Sequence, residues 1–213
     1  LHALLDHQNL AESTGNRLYD TTYEGLCRSA QTLRRLRGFP DEQTASAAAH
    51  LALGLLAWNP GAKRLRQGLS PLLDIADGHP NPTVEALIDA ISAYDLNRDI
   101  SIPVSEAAEV VGSTNSRQDS IRMAIPSKLL HFLTPGNLPI LDRRVVIALD
   151  PEKTPPATAR LYRHYVDALE ELRITERQSC KGSPRLTPAD TLESMSPEAR
   201  IRRIDCTLWR AGG

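Results

Sequence analysis

Residues 121–150 read IRMAIPSKLLHFLTPGNLPILDRRVVIALD, and this stretch decides the fold that we predict for the whole chain. Its apolar residues recur at every fourth position from Ile121 to Leu133, which is typical of helices that bury one face. Pro126 interrupts the run, because proline is tolerated only in the first turn of a helix. The stretch therefore predicts a short helix from Ile121, a bend over 125–127 and a second helix that carries Lys128.

The second half of this stretch is predicted to be a turn followed by a capped helix. Proline and glycine at 135 and 136 predict a turn over 134–137, and residues 138–141 predict an extended segment. Asp142 stands directly before the helical pattern of Val145, Val146 and Leu149, where aspartate is a favoured N-cap. A third helix is therefore expected to begin just after Asp142.

Cationic and hydroxyl side chains cluster along this unit. Lys128 falls in the first turn of its helix, where unpaired N–H groups and the helix dipole favour an anion. Ser127 and the N–H groups beside it are candidates for cradling a phosphate. Arg143 and Arg144 follow Asp142 and extend the positive charge. The pattern predicts a site on a phosphodiester backbone.

The order of a tight turn, a lysine-bearing helix, a proline-containing segment and an aspartate resembles the helix-hairpin-helix DNA glycosylases, the superfamily that includes the 8-oxoguanine and thymine-glycol glycosylases. The matching segment is 138–145, LPILDRRV. The resemblance implies that Asp142 is the essential aspartate and that Lys128 is the nucleophile of a member with lyase activity. It also implies double-stranded DNA as the partner and base-excision repair as the process.

The chemistry implied by this resemblance assigns a role to each candidate. Cleavage of the base–sugar bond develops positive charge on the deoxyribose, which the Asp142 carboxylate would stabilise, or Asp142 would activate water. The Lys128 amine would attack C1′ and form a Schiff base. A flipped base needs an aromatic or apolar clamp, for which His131, Trp58 and Trp209 are the candidates.

Each of these residues also has a simpler structural interpretation. Asp142 can be only a helix cap. Lys128 can be an exposed lysine or a phosphate contact. His131 can bond a nearby carbonyl, and Trp58 and Trp209 can belong to the core. Both sets of interpretations stay open from the residues alone.

Composition restricts the function classes. The chain has 213 residues and a net charge of −1, so DNA binding requires a local basic face, for which we select Arg143, Arg144 and Arg122. Three widely spaced cysteines give neither a disulfide framework, nor a zinc pattern, nor the four-cysteine cluster of an iron–sulfur centre. No His/Asp/Glu group has metal-ligand spacing, so no metal and no cofactor are expected.

The same composition gives an expected location. No apolar run reaches membrane-spanning length, so no membrane partner is expected. The odd cysteine count suits a reducing compartment. We therefore expect a cytoplasmic protein, associated with the nucleoid if its source is prokaryotic.

The rest of the chain shows helical patterns and no strand-period segment. We predict one all-α domain over residues 1–213, arranged in two helical lobes, with the hairpin and aspartate loop at 116–150. The remaining helices are predicted at 22–37, 40–58, 62–77 in two pieces, 83–94, 103–111, 155–173 and 197–210.

The favoured function is a DNA glycosylase that excises a damaged or modified base from duplex DNA, with lyase activity if Lys128 is the nucleophile. Two alternatives stay open. One is a DNA-binding or assembly module of the same fold without catalysis, and the other is an all-helical interaction protein with no nucleic-acid role. The position of Lys128 discriminates among them, because the enzyme requires Lys128 to share a cleft with Asp142.

Overall fold

The chain is all-α, as predicted. A computed structural model describes residues 14–59, 68–97, 99–113, 117–134, 137–152, 155–180 and 197–212, and within these ranges the only strand-like pairing is a single bridge between Arg122 and Thr158. The helices are α1 (Arg17–Leu33), α2 (Glu42–Ala57), α3 (Ser70–Ala76), α4 (Pro82–Asn97), α5 (Ser101–Val110), α6 (Pro126–Leu133), α7 (Arg143–Leu149), α8 (Ala159–Cys180) and α9 (Pro197–Ala211), with a 3-10 helix at Gln118–Ser120.

The first helix begins five residues earlier than its apolar stripe predicts. The Asn16 side chain accepts hydrogen bonds from the N–H groups of Leu18 and Tyr19, which makes Asn16 the N-cap. Asp20 in turn accepts from the backbone N–H and the hydroxyl of Thr14, so the chain before the helix is tied back onto it. The predicted start at residue 22 is wrong because the cap, and not the apolar stripe, sets the boundary.

The second helix matches its prediction and packs tightly on two neighbours. Asp41 caps it, and its small residues, such as Ala48 and Ala52, are fully buried. It contacts α1 and α3, while Leu53 on its outer side is exposed. Gly54 lies so close to Leu26 of α1 that an added Cβ would be 2.1 Å from a Leu26 methyl carbon. A side chain at this position would have to displace the buried Leu26 side chain.

Capping corrects the predicted boundaries of α4 and α5, whereas the predicted break near Pro71 is present. Pro71 lies in the first turn of α3, where proline is tolerated. Gly68 is helical and Leu69 is a turn, so the break precedes Pro71, and the rest of the first predicted piece lies outside the described residues. Asn81, and not Thr83, caps α4 by accepting from the N–H groups of residues 83 and 84. Asp99 accepts from the N–H of Ser101, so α5 begins two residues earlier than predicted.

The short helix that we predict from Ile121 is absent. Ile121 and Met123 are buried while Arg122 between them is exposed, which is the alternation of an extended strand. The N–H of Met123 donates to the Ala157 carbonyl, and the N–H of Ala159 donates to the Ile121 carbonyl. The prediction is wrong because apolar residues four apart also fit an alternating pattern. The grouping of the helices into two lobes stays a prediction.

The last two described helices complete the core. Helix α8 begins at Ala159 and not at Pro155, since residues 155–158 are occupied by the backbone bridge to Arg122. Helix α9 agrees with its prediction and packs against α7. Helix α8 continues to Cys180, seven residues beyond its predicted end at 173, and residues 181–196 lie outside the described range. None of the described helices has both the length and the apolar character that a membrane crossing requires.

A pair of glycine substitutions tests the α1–α2 packing. Gly25→Ala, on the exposed side of α1 with nothing near its Cβ position, should raise the free energy of unfolding by roughly 0.5–1 kcal/mol. Gly54→Ala has the same helix-propensity advantage but should lower the free energy of unfolding by about 1–3 kcal/mol, because its Cβ meets Leu26. Urea denaturation of both variants measures the difference. Equal effects at the two sites would contradict the close approach.

Candidate functional site

The structure brings Lys128 and Asp142 together. Lys128 projects from the first turn of α6 and Asp142 stands just before α7, and their Nζ and Oδ2 atoms are 3.8 Å apart. The Lys128 side chain is 5% exposed and that of Asp142 is 14% exposed. Both line one cleft. The enzyme hypothesis requires this arrangement.

Two further oxygen atoms hold the Lys128 amine. Its Nζ donates to the side-chain oxygen of Asn59 at 2.8 Å and lies 3.5 Å from the Trp58 carbonyl oxygen. The Asn59 amide nitrogen donates to the Leu55 carbonyl, which turns the amide oxygen of Asn59 toward the lysine. Burial lowers the pKa of the Lys128 amine from its usual value, and the Asp142 carboxylate partly opposes that shift. A lysine in this setting needs less free energy to lose its proton than one in water.

Asp142 is both a helix cap and a wall of the cleft. Its Oδ1 accepts hydrogen bonds from the N–H groups of Arg144 and Val145, which fixes the carboxylate at the start of α7. Its Oδ2 accepts from the indole N–H of Trp209 at 3.2 Å and faces Lys128. The capping interpretation is therefore confirmed, and it leaves one carboxylate oxygen turned into the cleft.

Three aromatic side chains form one side of the cleft. Tyr19 packs between Trp58 and Trp209, with ring centroids 4.6 Å and 5.3 Å away. Trp58 is buried and donates its indole N–H to the Thr22 hydroxyl, whereas Trp209 and Tyr19 are half-buried. The space inside the cleft is enough for water but not for a nucleobase. A larger ligand can enter only if part of the cleft wall moves.

Ser127 and His131 lie behind the cleft and not in it. The Ser127 hydroxyl is fully buried and accepts from the N–H of Leu141 at 2.9 Å, so it supports the segment before Asp142. His131 is also fully buried. Its Nδ1 is 2.8 Å from the Leu138 carbonyl oxygen and its Nε2 is 2.7 Å from the Tyr23 hydroxyl. Neither side chain faces solvent, where a phosphate or a base would approach.

The protonation of His131 follows from its partners. A carbonyl oxygen can only accept, so Nδ1 carries the hydrogen and Nε2 accepts from Tyr23. Burial lowers the pKa of His131 to about 4, and the nearby Arg202 guanidinium acts in the same direction. The 3.4 Å approach of Nδ1 to Asp205 is therefore a contact with a neutral imidazole and not an ion pair.

The three predicted DNA-binding arginines are all exposed but occupy different settings. Arg143 and Arg144 lie in the first turn of α7, and the Arg144 guanidinium carbon is 3.7 Å from the ring centroid of Trp209. Arg122 lies on the extended stretch that pairs with Thr158 and does not line the cleft. The structure thus brings Arg144 against a wall of the cleft and leaves Arg122 outside its lining.

Sequence reasoning missed several residues of the cleft. Asp205 and Arg202 of α9 line it, and Arg202 also bonds to Asp20 at 2.9 Å and stacks over the ring of Tyr23. A signal for Asp205 was present, because residues 201, 204, 205 and 208 share one face of a helix. A carboxylate on an otherwise apolar face must have polar partners in the core. Asn59 and Tyr19 carried no comparable signal.

The described residues hold no group of three or more His, Cys, Asp or Glu side chains that could bind a metal ion. The charged groups of the cleft are instead two cationic and two carboxyl side chains: Lys128, Arg202, Asp142 and Asp205. Burial raises the pKa of the Asp205 carboxyl well above its usual value, although the Ile140 N–H and Arg202 oppose the shift. The two carboxyls therefore differ in environment, with Asp142 capping a helix and Asp205 buried in the core.

Acid should destabilise the fold through His131. The pKa of His131 is about 4 when folded and near its ordinary 6.5 when unfolded, so the unfolded chain binds more protons between these values. The contribution of His131 to the free energy of unfolding should fall as the pH is lowered from 6.5 to 4, by up to about 3 kcal/mol. Urea denaturation across this range, compared with His131→Gln, measures the contribution. NMR titration of the imidazole gives the folded pKa directly, and a value near 6.5 would contradict the burial argument.

Comparison of the chain with protein-family models, with curated proteins and with solved structures found no match.

Proposed function

We propose that the protein is a DNA glycosylase that removes a damaged or modified base from duplex DNA. The observation that carries this proposal is the pairing of a buried amine with a carboxylate, Lys128 and Asp142, 3.8 Å apart in a cleft with aromatic walls. The resemblance of residues 138–145 to the helix-hairpin-helix glycosylases supports the same assignment.

The chemistry needs each of the two groups in one protonation state. The Lys128 amine attacks C1′ once it has lost its proton, and burial makes that loss easier. As the new C1′–N bond forms, the base leaves with the electron pair of the glycosidic bond and takes up a proton. The Asp142 carboxylate stabilises the positive charge that develops on the sugar. The adduct then opens to a Schiff base, from which strand cleavage follows.

The exposed arginines at the start of α7 support DNA as the partner. Cations are mildly unfavourable at a helix N-terminus, so Arg143 and Arg144 gain most from an anionic ligand. Both are exposed and adjacent to Asp142 in sequence. A phosphate bound there would place the sugar–phosphate chain beside the mouth of the cleft.

A base can reach the lysine only after the cleft opens. Of the two tryptophans, Trp58 is buried in the core, whereas Trp209 is half-buried near the end of α9. Movement of Trp209 therefore costs less free energy than movement of Trp58, and Trp209 can stack against a flipped base. Its indole N–H bond to Asp142 would break in that step, which frees the carboxylate oxygen.

One observation favours the non-catalytic DNA-binding module as the second candidate. The Lys128 ammonium already has three oxygen atoms around it, from Asn59, Trp58 and Asp142, and this set is also what a purely structural buried lysine would need. The two functions differ in one respect, because only the enzyme releases a base, and the lysine mechanism also forms a covalent bond between Lys128 and DNA.

Borohydride trapping tests the enzyme directly. On a panel of duplexes that each contain one lesion, the protein should give a covalent adduct with at least one of them, since borohydride reduces the imine to a stable amine. Lys128→Met keeps the aliphatic stem and should abolish trapping while DNA affinity changes little. Asp142→Asn keeps the helix cap and should slow base release by about 10²-fold or more, because only the charge is lost.

The outcomes separate the candidates. Base release without trapping would make this an enzyme that uses water, with Lys128 as a phosphate or structural contact. Binding to duplex DNA without base release from any lesion would favour the non-catalytic module. Full activity of Asp142→Asn on a confirmed substrate would overturn the mechanism.

Salt dependence tests the DNA contact. If Arg143 and Arg144 each bind a phosphate, replacing both with alanine should reduce the slope of log affinity against log salt by about 2. Arg28→Ala is the matched control, because Arg28 is an exposed arginine on α1 that pairs only with Glu24 among the described ion pairs. Fluorescence anisotropy with a labelled duplex gives both slopes. Equal slopes for the two variants, or no binding at low salt, would favour the interaction protein without a nucleic-acid role.

A further inference from the structure

The segment 138–141 leads into Asp142. Each of its four residues has one backbone polar group that is hydrogen-bonded to a buried side chain. His131 donates to the Leu138 carbonyl and Tyr162 donates to the Pro139 carbonyl at 2.9 Å. The Asp205 carboxyl accepts from the Ile140 N–H at 3.1 Å, and Ser127 accepts from the Leu141 N–H. The four side chains come from α6, α8 and α9. A segment without regular structure is thereby fixed on several sides.

Asp205 is the one of these four side chains that also lines the cleft. Both of its oxygens lie within 3.3 Å of the Ile140 nitrogen, and the Tyr165 hydroxyl donates to Oδ1 at 3.4 Å. The residue is 4% exposed. Removal of the Asp205 carboxyl would leave the Ile140 N–H buried without a hydrogen-bond acceptor. The chain can avoid that cost only by moving the segment 138–141.

We propose that Asp205 positions Asp142 against Lys128 by holding the Ile140 N–H, and that it does so as a hydrogen-bond acceptor and not as a charge. The proposal rests on the glycosylase function proposed above, for which it adds a residue that touches neither DNA nor the reacting atoms. Ile140 is two residues before Asp142, so a shift of its N–H moves the carboxylate directly.

The surroundings of Asp205 favour an acceptor role. Burial raises the pKa of the Asp205 carboxyl, and Asp142 in the same cleft adds to that shift, while the Ile140 N–H, Arg202 and the Tyr165 hydroxyl lower it. His131 faces it as a neutral imidazole. The neutral carboxyl still presents a carbonyl oxygen to Ile140. Asparagine presents the same oxygen at the same distance, whereas alanine presents none.

The chain contains its own reporter for the position of Asp142. It has two tryptophans, and each indole N–H has a different partner: Trp209 donates to Asp142 and Trp58 donates to the Thr22 hydroxyl. In a ¹H–¹⁵N spectrum of the full chain, Asp205→Ala should shift or broaden the Trp209 indole signal and speed amide exchange of Ile140. The Trp58 signal should stay in place. Asp205→Asn should leave all three unchanged, and Asp142→Asn identifies the Trp209 signal.

Kinetics supply the second readout. On a duplex that the wild type processes, Asp205→Ala should lower the single-turnover rate of base release by about 10²-fold, because misplacement of a reacting group by about 1 Å has that effect. The dissociation constant for the duplex should stay within about twofold, and Asp205→Asn should keep the rate within about threefold, since it retains the acceptor. Ile88→Val in the buried face of α4 is the control for a general loss of stability and should change neither readout.

Each outcome decides a separate point. An unchanged Trp209 signal in Asp205→Ala would overturn the positioning role. Loss of base release in Asp205→Asn, with the Trp209 signal in place, would overturn it as well and make the carboxyl a participant in the chemistry. If Asp205→Ala does not fold, the Asp205→Asn result still decides whether Asp205 acts as a hydrogen-bond acceptor or takes part in the chemistry. If no duplex is processed by the wild type, the proposed function fails, and the spectra alone decide whether Asp205 holds Asp142.

Discussion

A lysine ammonium buried in the protein interior is the constraint on which the rest of the site depends. A charge in that environment is stable only with polar partners arranged around it. The Lys128 partners come from the end of α2 and from the residue before α7, so three helices must meet with their termini at one point. The aromatic side chains that pack beside the ion pair reduce its exposure to water further. A cleft with one amine and one carboxylate is thus a consequence of how the helix ends are arranged.

The polar interactions in the core act on irregular segments more than on helices. The residue after α2 and the segment before α7 are held by side chains from distant parts of the sequence, and the chain before α1 is held by Asp20 of α1. Backbone groups in such segments have no partners in a regular helix, so buried side chains must supply them. This explains why several buried polar residues, such as Ser127 and Tyr162, contact main-chain atoms and not ligands. Their role is to give an irregular piece of chain one conformation.

The helical class and the cap at Asp142 were predictable from the sequence, because helical periodicity and N-capping are local. The requirement that Lys128 share a cleft with Asp142 came from the resemblance to the glycosylases. Helix starts that depend on side-chain caps were predicted less well. The start of α1, capped by Asn16, was predicted too far along the chain, and the cap of α4 was assigned to Thr83 in place of Asn81. The extended stretch at Ile121 was mistaken for a helix, since its partner, Thr158, is far away in sequence. Asp205, Arg202 and Asn59 could not be assigned to the cleft for the same reason. Contacts between distant segments leave only weak traces in a single sequence.

The aromatic walls of the cleft have a consequence for the order of folding. Lys128 and Asp142 are 14 positions apart, whereas Tyr19 and Trp209 are separated by almost the whole chain. Contacts between close positions form with a small loss of chain entropy, and those between distant positions form late. We therefore expect the lysine and the aspartate to meet before α9 docks, and the aromatic side of the cleft is complete only when Trp209 of α9 reaches Tyr19. A fragment that ended before α9 would keep the motif and lack the environment that perturbs its lysine.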